Sequence, residues 1–118
     1  AGYRLNAQSL IGALDIAVAP SRGREGLTKS IIEGMVQCVP AIVTSAGGLP
    51  ELVQDGVNGY LIQTPSPDAI QMTLSKLLSN NSDRMQMGAE ARRIITKKFD
   101  VRKTIANTAN LYNEALFE

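Results

Sequence analysis

The sequence predicts an α/β fold, a parallel sheet with flanking helices. Three observations lead there. Short apolar runs bounded by turn residues alternate with longer segments of helical periodicity. Each strand-like run is followed by a helix-like one, the order a parallel sheet with crossover connections requires. From Pro67 onward the chain reads as helix after helix, enough to cover a small sheet.

The elements follow in order. Asn6 is placed to cap a short helix over AQSLIGAL, with Leu10, Ile11 and Leu14 on one side. Asp15 to Ala19 (DIAVA) reads as a buried strand, stopped by Pro20 and a polar loop through Arg24. The next helix is expected from Thr28 to Gln37. Ile31, Ile32, Met35 and Val36 form its apolar stripe, and Lys29, Glu33 and Gln37 the opposite one. Ala41 to Thr44 is a second buried strand, followed by Ser-Ala-Gly-Gly and a short helix around LPELVQ. Asp55-Gly56 and Asn58-Gly59 signal turns before a third strand, Tyr60 to Ile62. Ser66 caps the following helix, with Pro67 at its first position and Asp68 in its first turn. That helix carries Ile70, Leu74, Leu77 and Leu78. Two more are expected, from Ser82 to Lys97 and from Asp100 to Leu116.

Such a succession is Rossmann-like, yet three strands are few beside the five or six of a doubly wound sheet. The pattern therefore predicts the later part of such a domain. The expectation is a piece of a longer chain, since Ala1 stands where a methionine would begin one.

Composition narrows the function classes. With 118 residues the chain is one domain at most. The net charge of +1 gives no bulk attraction to nucleic acid, and the absence of Trp removes a strong base-stacking platform. There is no histidine, which eliminates Ser-His-Asp and Cys-His nucleophiles and the usual zinc ligand sets. The single cysteine, Cys38, has no internal disulfide partner, which fits a reducing compartment, and its setting suggests a buried packing role. No apolar run approaches the roughly 18 residues of a membrane span.

Ligands of open parallel sheets bind beyond the C-terminal strand ends, where loops run into helix N-termini. The loop from Ser21 to Leu27 is such a place. Backbone N–H groups of Leu27, Thr28, Lys29 and Ser30, with the helix dipole, form an anion site suited to a diphosphate. Glu33 lies about 5 residues into the helix, roughly 7–8 Å along the axis, about the offset from a diphosphate to its ribose. Carboxylates accept from vicinal hydroxyls, so Glu33 suits a ribose and Glu25, on the other side, a sugar. A plainer reading stands beside this one, in which Glu33 pairs with Lys29 on a solvated face. Gly34 suggests close approach to the helix by a ligand or a neighbouring helix. Gly47-Gly48 reads equally as close backbone approach to a ligand or as a turn needing positive φ. Arg22 and Arg24 meet phosphate or simply solvate the loop. The basic cluster Arg92, Arg93, Lys97, Lys98, Arg102 and Lys103 reads as a contact for anionic lipid or as a solvated face.

Taken together, DIAVAPS, the E-x7-E spacing in EGLTKSIIE, PAIVTSAGGLPELV and DGVNGYLI resemble the GT-B glycosyltransferases of family 4, the glycosyl transferases group 1. The resemblance runs over essentially the whole chain. It implies two Rossmann-like domains facing a cleft, and it makes this chain the distal part of the C-terminal, nucleotide-sugar-binding domain. Residues up to about 65 would form the α/β part and the rest a helical part. By the family's motif, Glu25 is the catalytic-site residue that holds the transferred sugar. Leu27 and Thr28 would offer backbone groups to that sugar, Lys29 and Ser30 would donate to the diphosphate, and Glu33 would bind the ribose. Gly47 and Gly48 would border the donor. The implied reaction is retaining transfer of a hexosyl group from a nucleotide-diphosphate sugar. Neither a bound metal nor a cofactor is expected.

The sequence departs from the family pattern at Thr28, often glycine, and at Cys38-Val39 before the proline. The family's basic pair for the diphosphate belongs upstream. The expectation is that the isolated chain is inactive while its parent is a glycosyltransferase. That parent would take a sugar or lipid-linked acceptor through an N-terminal domain. It would be cytoplasmic, with peripheral contact at the inner face of the membrane. The competing reading is a non-catalytic nucleotide-binding or regulatory α/β module, such as a receiver. A receiver needs an acidic cluster at strand ends and a lysine on a late strand. Asp15 instead begins its strand, and no lysine occupies that later position.

Overall fold

A computed structural model describes residues 2–23 and 26–117. The observed order is α1 (Ala7–Ile11), β1 (Ala17–Ala19), α2 (Lys29–Val36), β2 (Ala41–Thr44), a 3-10 turn at Leu49–Glu51, β3 (Gly59–Ile62), α3 (Pro67–Ser79), α4 (Asn81–Lys98) and α5 (Val101–Phe117). The three strands form one parallel sheet in the order β1-β2-β3. Its register pairs Val18 with Ile42 and Ile42 with Tyr60.

That register sorts the core by face. Ala17, Ala19, Ala41 and Val43 point to one side, where they pack with Ile31 and Met35 of α2, Leu49, Leu52, Val53, and Ala91 and Ile95 of α4. The small alanines let α2 lie close against the sheet. Ile42 and Ile62 point to the other side, onto Leu77 of α3 and Met87 of α4, with Ile70 and Leu74 at the margin. Helix α4 thus serves both faces, closing the sheet along β3.

The end of α2 is a Schellman turn. Val39 N–H donates to Gly34 O at 3.0 Å and Cys38 N–H to Met35 O at 3.1 Å, with Cys38 left-handed at φ 64°. Cys38 is exposed, contrary to the expected packing role, because this turn directs its backbone inward. Its carbonyl lies against α4 at Gly88, where an added β-carbon would come within 2.9 Å of the Cys38 carbonyl carbon.

Other differences have local causes. α1 is shorter than the apolar pattern suggested, Asn6 makes no side-chain cap, and none of its residues is buried. β1 begins at Ala17 rather than Asp15, because only Ala17 to Ala19 finds partners on β2. Val18 is 40% exposed rather than buried, since β1 is an edge strand in the described sheet. The turn expected at Asn58-Gly59 is present, and it is also an anchor. Buried Asn58 donates from Nδ2 to Leu52 O at 3.0 Å and accepts from Gln54 N–H at 2.7 Å. Gly59 already belongs to β3, where a β-carbon would meet the Ala41 backbone. The caps of the later helices are as expected at Ser66, whose hydroxyl accepts from Ala69 N–H at 3.1 Å. Leu78 faces solvent, as does the whole of α5.

Candidate functional site

The loop after β1, the N-terminus of α2 and the loop after β2 lie at the same end of the sheet, beyond its C-terminal strand ends. Buried Thr44, the last residue of β2, ties two of them together through hydrogen bonds from its hydroxyl to Ser21 O and Ala19 O. An open cleft of about 470 Å³ lies here, lined by Ser21, Arg22, Ser45, Ala46 and Pro65.

The first turn of α2 has the character of an anion site. Ile31 and Ile32 N–H make the first helical bonds, both to Thr28 O, at 3.1 and 3.3 Å. The N–H groups of Thr28, Lys29 and Ser30 precede that ladder and have no carbonyl partner in the helix. No acidic side chain occupies the turn. Thr28 sits at the N-cap without capping, and its hydroxyl oxygen is buried with no hydrogen-bond partner among the described residues. Such a group is costly unless something else satisfies it.

Glu33 stands one turn further along α2. Its side chain is 19% exposed and forms an ion pair with Lys29 at 3.5 Å, while Lys29 is 84% exposed. The solvated pairing weighed from the sequence therefore exists, although an exposed pair of this kind contributes little. The nearer partner is Gln8 on α1, whose Nε2 donates to Glu33 Oε1 at 2.7 Å. Gln37 Nε2 donates to Gln8 O at 2.8 Å and to Glu33 O at 3.2 Å. Neither glutamine was singled out for the site by the sequence. Gln37 shares the stripe of Glu33 one turn on, but the Gln8 contact bridges 25 positions and leaves no periodic signal.

The glycines resolve into distinct tasks. Gly47 is left-handed at φ 53°, so the turn is real. A β-carbon on Gly48 would lie 3.3 Å from the carbonyl carbon and oxygen of Gly26 and from Leu27 Cδ2. Gly48 thus supports the loop that carries Leu27 and Thr28. On Gly34 a β-carbon would reach 3.2 Å from Ile11 Cγ2, which identifies α1 as the close neighbour of α2. Leu27, Lys29 and Ser30 are exposed at the site; Arg24 and Glu25 lie outside the described residues.

Several members of the basic cluster have local partners. Arg93 pairs with Glu90 at 2.9 Å, Arg102 with Asp100 at 3.1 Å, and Lys98 donates to Glu51 O. Hydrogen bonding and charge attraction from their carboxylates raise the pKa of both arginines, and the Arg102 side chain and N–H hold that of Asp100 below its ordinary value. Among the described residues no group of three or more His, Cys, Asp or Glu is assembled for a metal. No described helix is long and apolar enough to cross a membrane.

A parallel sheet with a helix N-terminus at its C-terminal edge is the Rossmann-like arrangement. Comparison with known proteins identifies the family: the profile of the glycosyl transferases group 1 matches residues 3–94, and the chain belongs to that family. An uncharacterised glycosyltransferase of Methanocaldococcus jannaschii, MJ1178, is 34% identical over 97 residues, which are 82% of this chain and 27% of that protein. Among solved structures, the C-terminal domain of a group 1 glycosyl transferase (LpcC) from Francisella tularensis superposes with a TM-score of 0.75 at 30% identity, covering 84% of this chain and 52% of that one. The Anabaena protein Alr3699/HepE in complex with UDP-glucose gives a TM-score of 0.89 at 24% identity, over 97% of this chain and 31% of that one. The architecture is that of part of a GT-B glycosyltransferase. The chain spans less than a third of the length of the curated relatives it matches.

Proposed function

We propose that this chain is the distal part of the C-terminal donor-binding domain of a glycosyltransferase, and that α2 and the loop before it hold a nucleotide-diphosphate sugar. The observation that carries the reading is the first turn of α2, whose N–H groups have no carbonyl partner in the helix, with Glu33 one turn further in. N–H groups of Lys29 and Ser30 meet the diphosphate, and the helix dipole adds to their attraction. Lys29, exposed and flexible, leaves its weak pair with Glu33 to approach the same charge. Glu33 accepts from the ribose hydroxyls. Leu27 and Thr28 face the sugar, with Glu25 as its principal acceptor at the catalytic site. Gly47 and Gly48 border the donor on the far side.

The chemistry is retaining transfer of a hexosyl group. The bond from the anomeric carbon to the diphosphate oxygen breaks, and a bond from that carbon to an acceptor oxygen forms. The acceptor proton passes to the departing phosphate. Charge grows on the diphosphate as this happens, so preorganised amides at a helix N-terminus stabilise the transition state more than the ground state. The acceptor, a sugar or lipid-linked molecule, is met by an N-terminal domain, with the parent working at the inner face of the membrane. UDP sugars are the first donors to test, because a structural relative is described with UDP-glucose.

Calorimetry on the full-length protein with UDP, GDP and ADP tests the reading. At least one nucleotide is expected to bind, and Glu33→Ala to weaken it by tenfold or more. Absence of binding by all three would leave a structural α/β module in its place.

A further inference from the structure

The donor site reaches beyond the residues of the α2 loop: we propose that Gln8 is a positioning residue, which holds the Glu33 carboxylate ready for the ribose of the donor. This rests on the reading of Glu33 as the ribose acceptor.

A glutamate side chain near a helix surface has several rotamers, and its nearest cation here pulls it along α2. Lys29 reaches Glu33 Oε1 only at 3.5 Å and is itself almost fully exposed, so it fixes little. Gln8 reaches the same oxygen at 2.7 Å from a different helix, across the α1–α2 cleft. Only the NH2 end of its amide can face a carboxylate, and a hydrogen bond to an ionised acceptor is among the stronger kinds. Among the described residues no protein donor reaches Oε2. One oxygen is therefore anchored, while the other keeps its lone pairs for a vicinal diol.

Gln8 is in turn held in place. The Gln37 amide bridges Gln8 O and Glu33 O, fastening the backbones of α1 and α2 beside the carboxylate. Gly12 makes room for that bridge, since a β-carbon there would lie 2.9 Å from Gln37 Cδ. The open cleft alongside, about 450 Å³, is lined by Gln8, Ser9, Glu33 and Gln37 with Ile32 and Val36. A polar amide held at the mouth of such a cleft, spending its one strong bond on Glu33, does little for the core. It sets the direction of a carboxylate.

The test uses the full-length protein and whichever of UDP, GDP and ADP binds, compared with the 2′,3′-dideoxy form of the same nucleotide. Gln8→Leu is expected to weaken the ribonucleotide about three- to tenfold while leaving the dideoxy form unchanged. Gln8→Glu, which sets like charges face to face, is expected to weaken the ribonucleotide further. Equal weakening of both nucleotides by Gln8→Leu would mark a merely structural residue and overturn the proposal, as would no change in either. Glu33→Ala separates the two levels. If it abolishes discrimination between the two forms while Gln8→Leu does not alter it, Gln8 is not the positioning residue and the ribose reading stands. If Glu33→Ala changes neither affinity, or no nucleotide binds, both are overturned.

Discussion

Cys38 ends α2 at φ 64°, a backbone conformation in which a β-carbon crowds the following carbonyl. The Schellman bonds to Gly34 and Met35 and the contact of its carbonyl with Gly88 fix this conformation from both sides. A non-glycine residue there costs about 1–2 kcal/mol. Glycine would remove that strain, but it loses more freedom on folding, worth about 0.5–1 kcal/mol. The thiol is exposed and contributes no core packing to offset the difference. Cys38→Gly should therefore stabilise the chain by about 0.5–1 kcal/mol, raising Tm by about 2–4 °C for a domain of this size. Cys38→Ala keeps the β-carbon and should fall within about 0.5 kcal/mol of the parent. Urea and thermal unfolding followed by circular dichroism measure both. Destabilisation by glycine, or an alanine variant as stable as the glycine one, would refute the strain at this turn.

Gly88→Ala should destabilise by at least about 2 kcal/mol, because its β-carbon would overlap the Cys38 carbonyl and part α4 from the α2–β2 turn; the urea midpoint reports it. Asn58→Ala should cost about 2 kcal/mol by leaving Leu52 O and Gln54 N–H without their buried partner, again read from unfolding curves. The Asp100 carboxyl is held below its ordinary pKa of 3.8, first by the side chain and then by the N–H of Arg102. Its support of the first turn of α5 is therefore complete above pH 3.8 and lost as pH falls through the lowered value. Amide exchange at Arg102 should rise relative to the intrinsic rate in that acid window, and Asp100→Asn should remove the dependence.

Much of the fold could be read because its determinants are local. The apolar run Ala41–Thr44 is a strand, and Ser66-Pro67-Asp68 starts a helix, for reasons contained within a few residues. Where the reading failed, the cause lies elsewhere in the chain. Val18 is exposed because of what does not flank β1, and Cys38 because of how a turn meets α4. The site divides in the same way. The helix N-terminus at Thr28 and the stripe through Glu33 follow from order and period. The Gly48 support of Gly26 and the grip of Gln8 on Glu33 depend on tertiary contacts. Features within one element can be read from order and spacing, whereas contacts between elements are brought in by packing.

On the proposed function, the N-terminal turns of α2 hold the donor. A crystal structure of the full-length protein with a bound nucleoside diphosphate tests it most directly. The diphosphate is expected against the N–H groups of Lys29 and Ser30, and the ribose hydroxyls on Glu33. A nucleotide bound away from α2, with Glu33 still occupied only by Gln8 and Lys29, would contradict it.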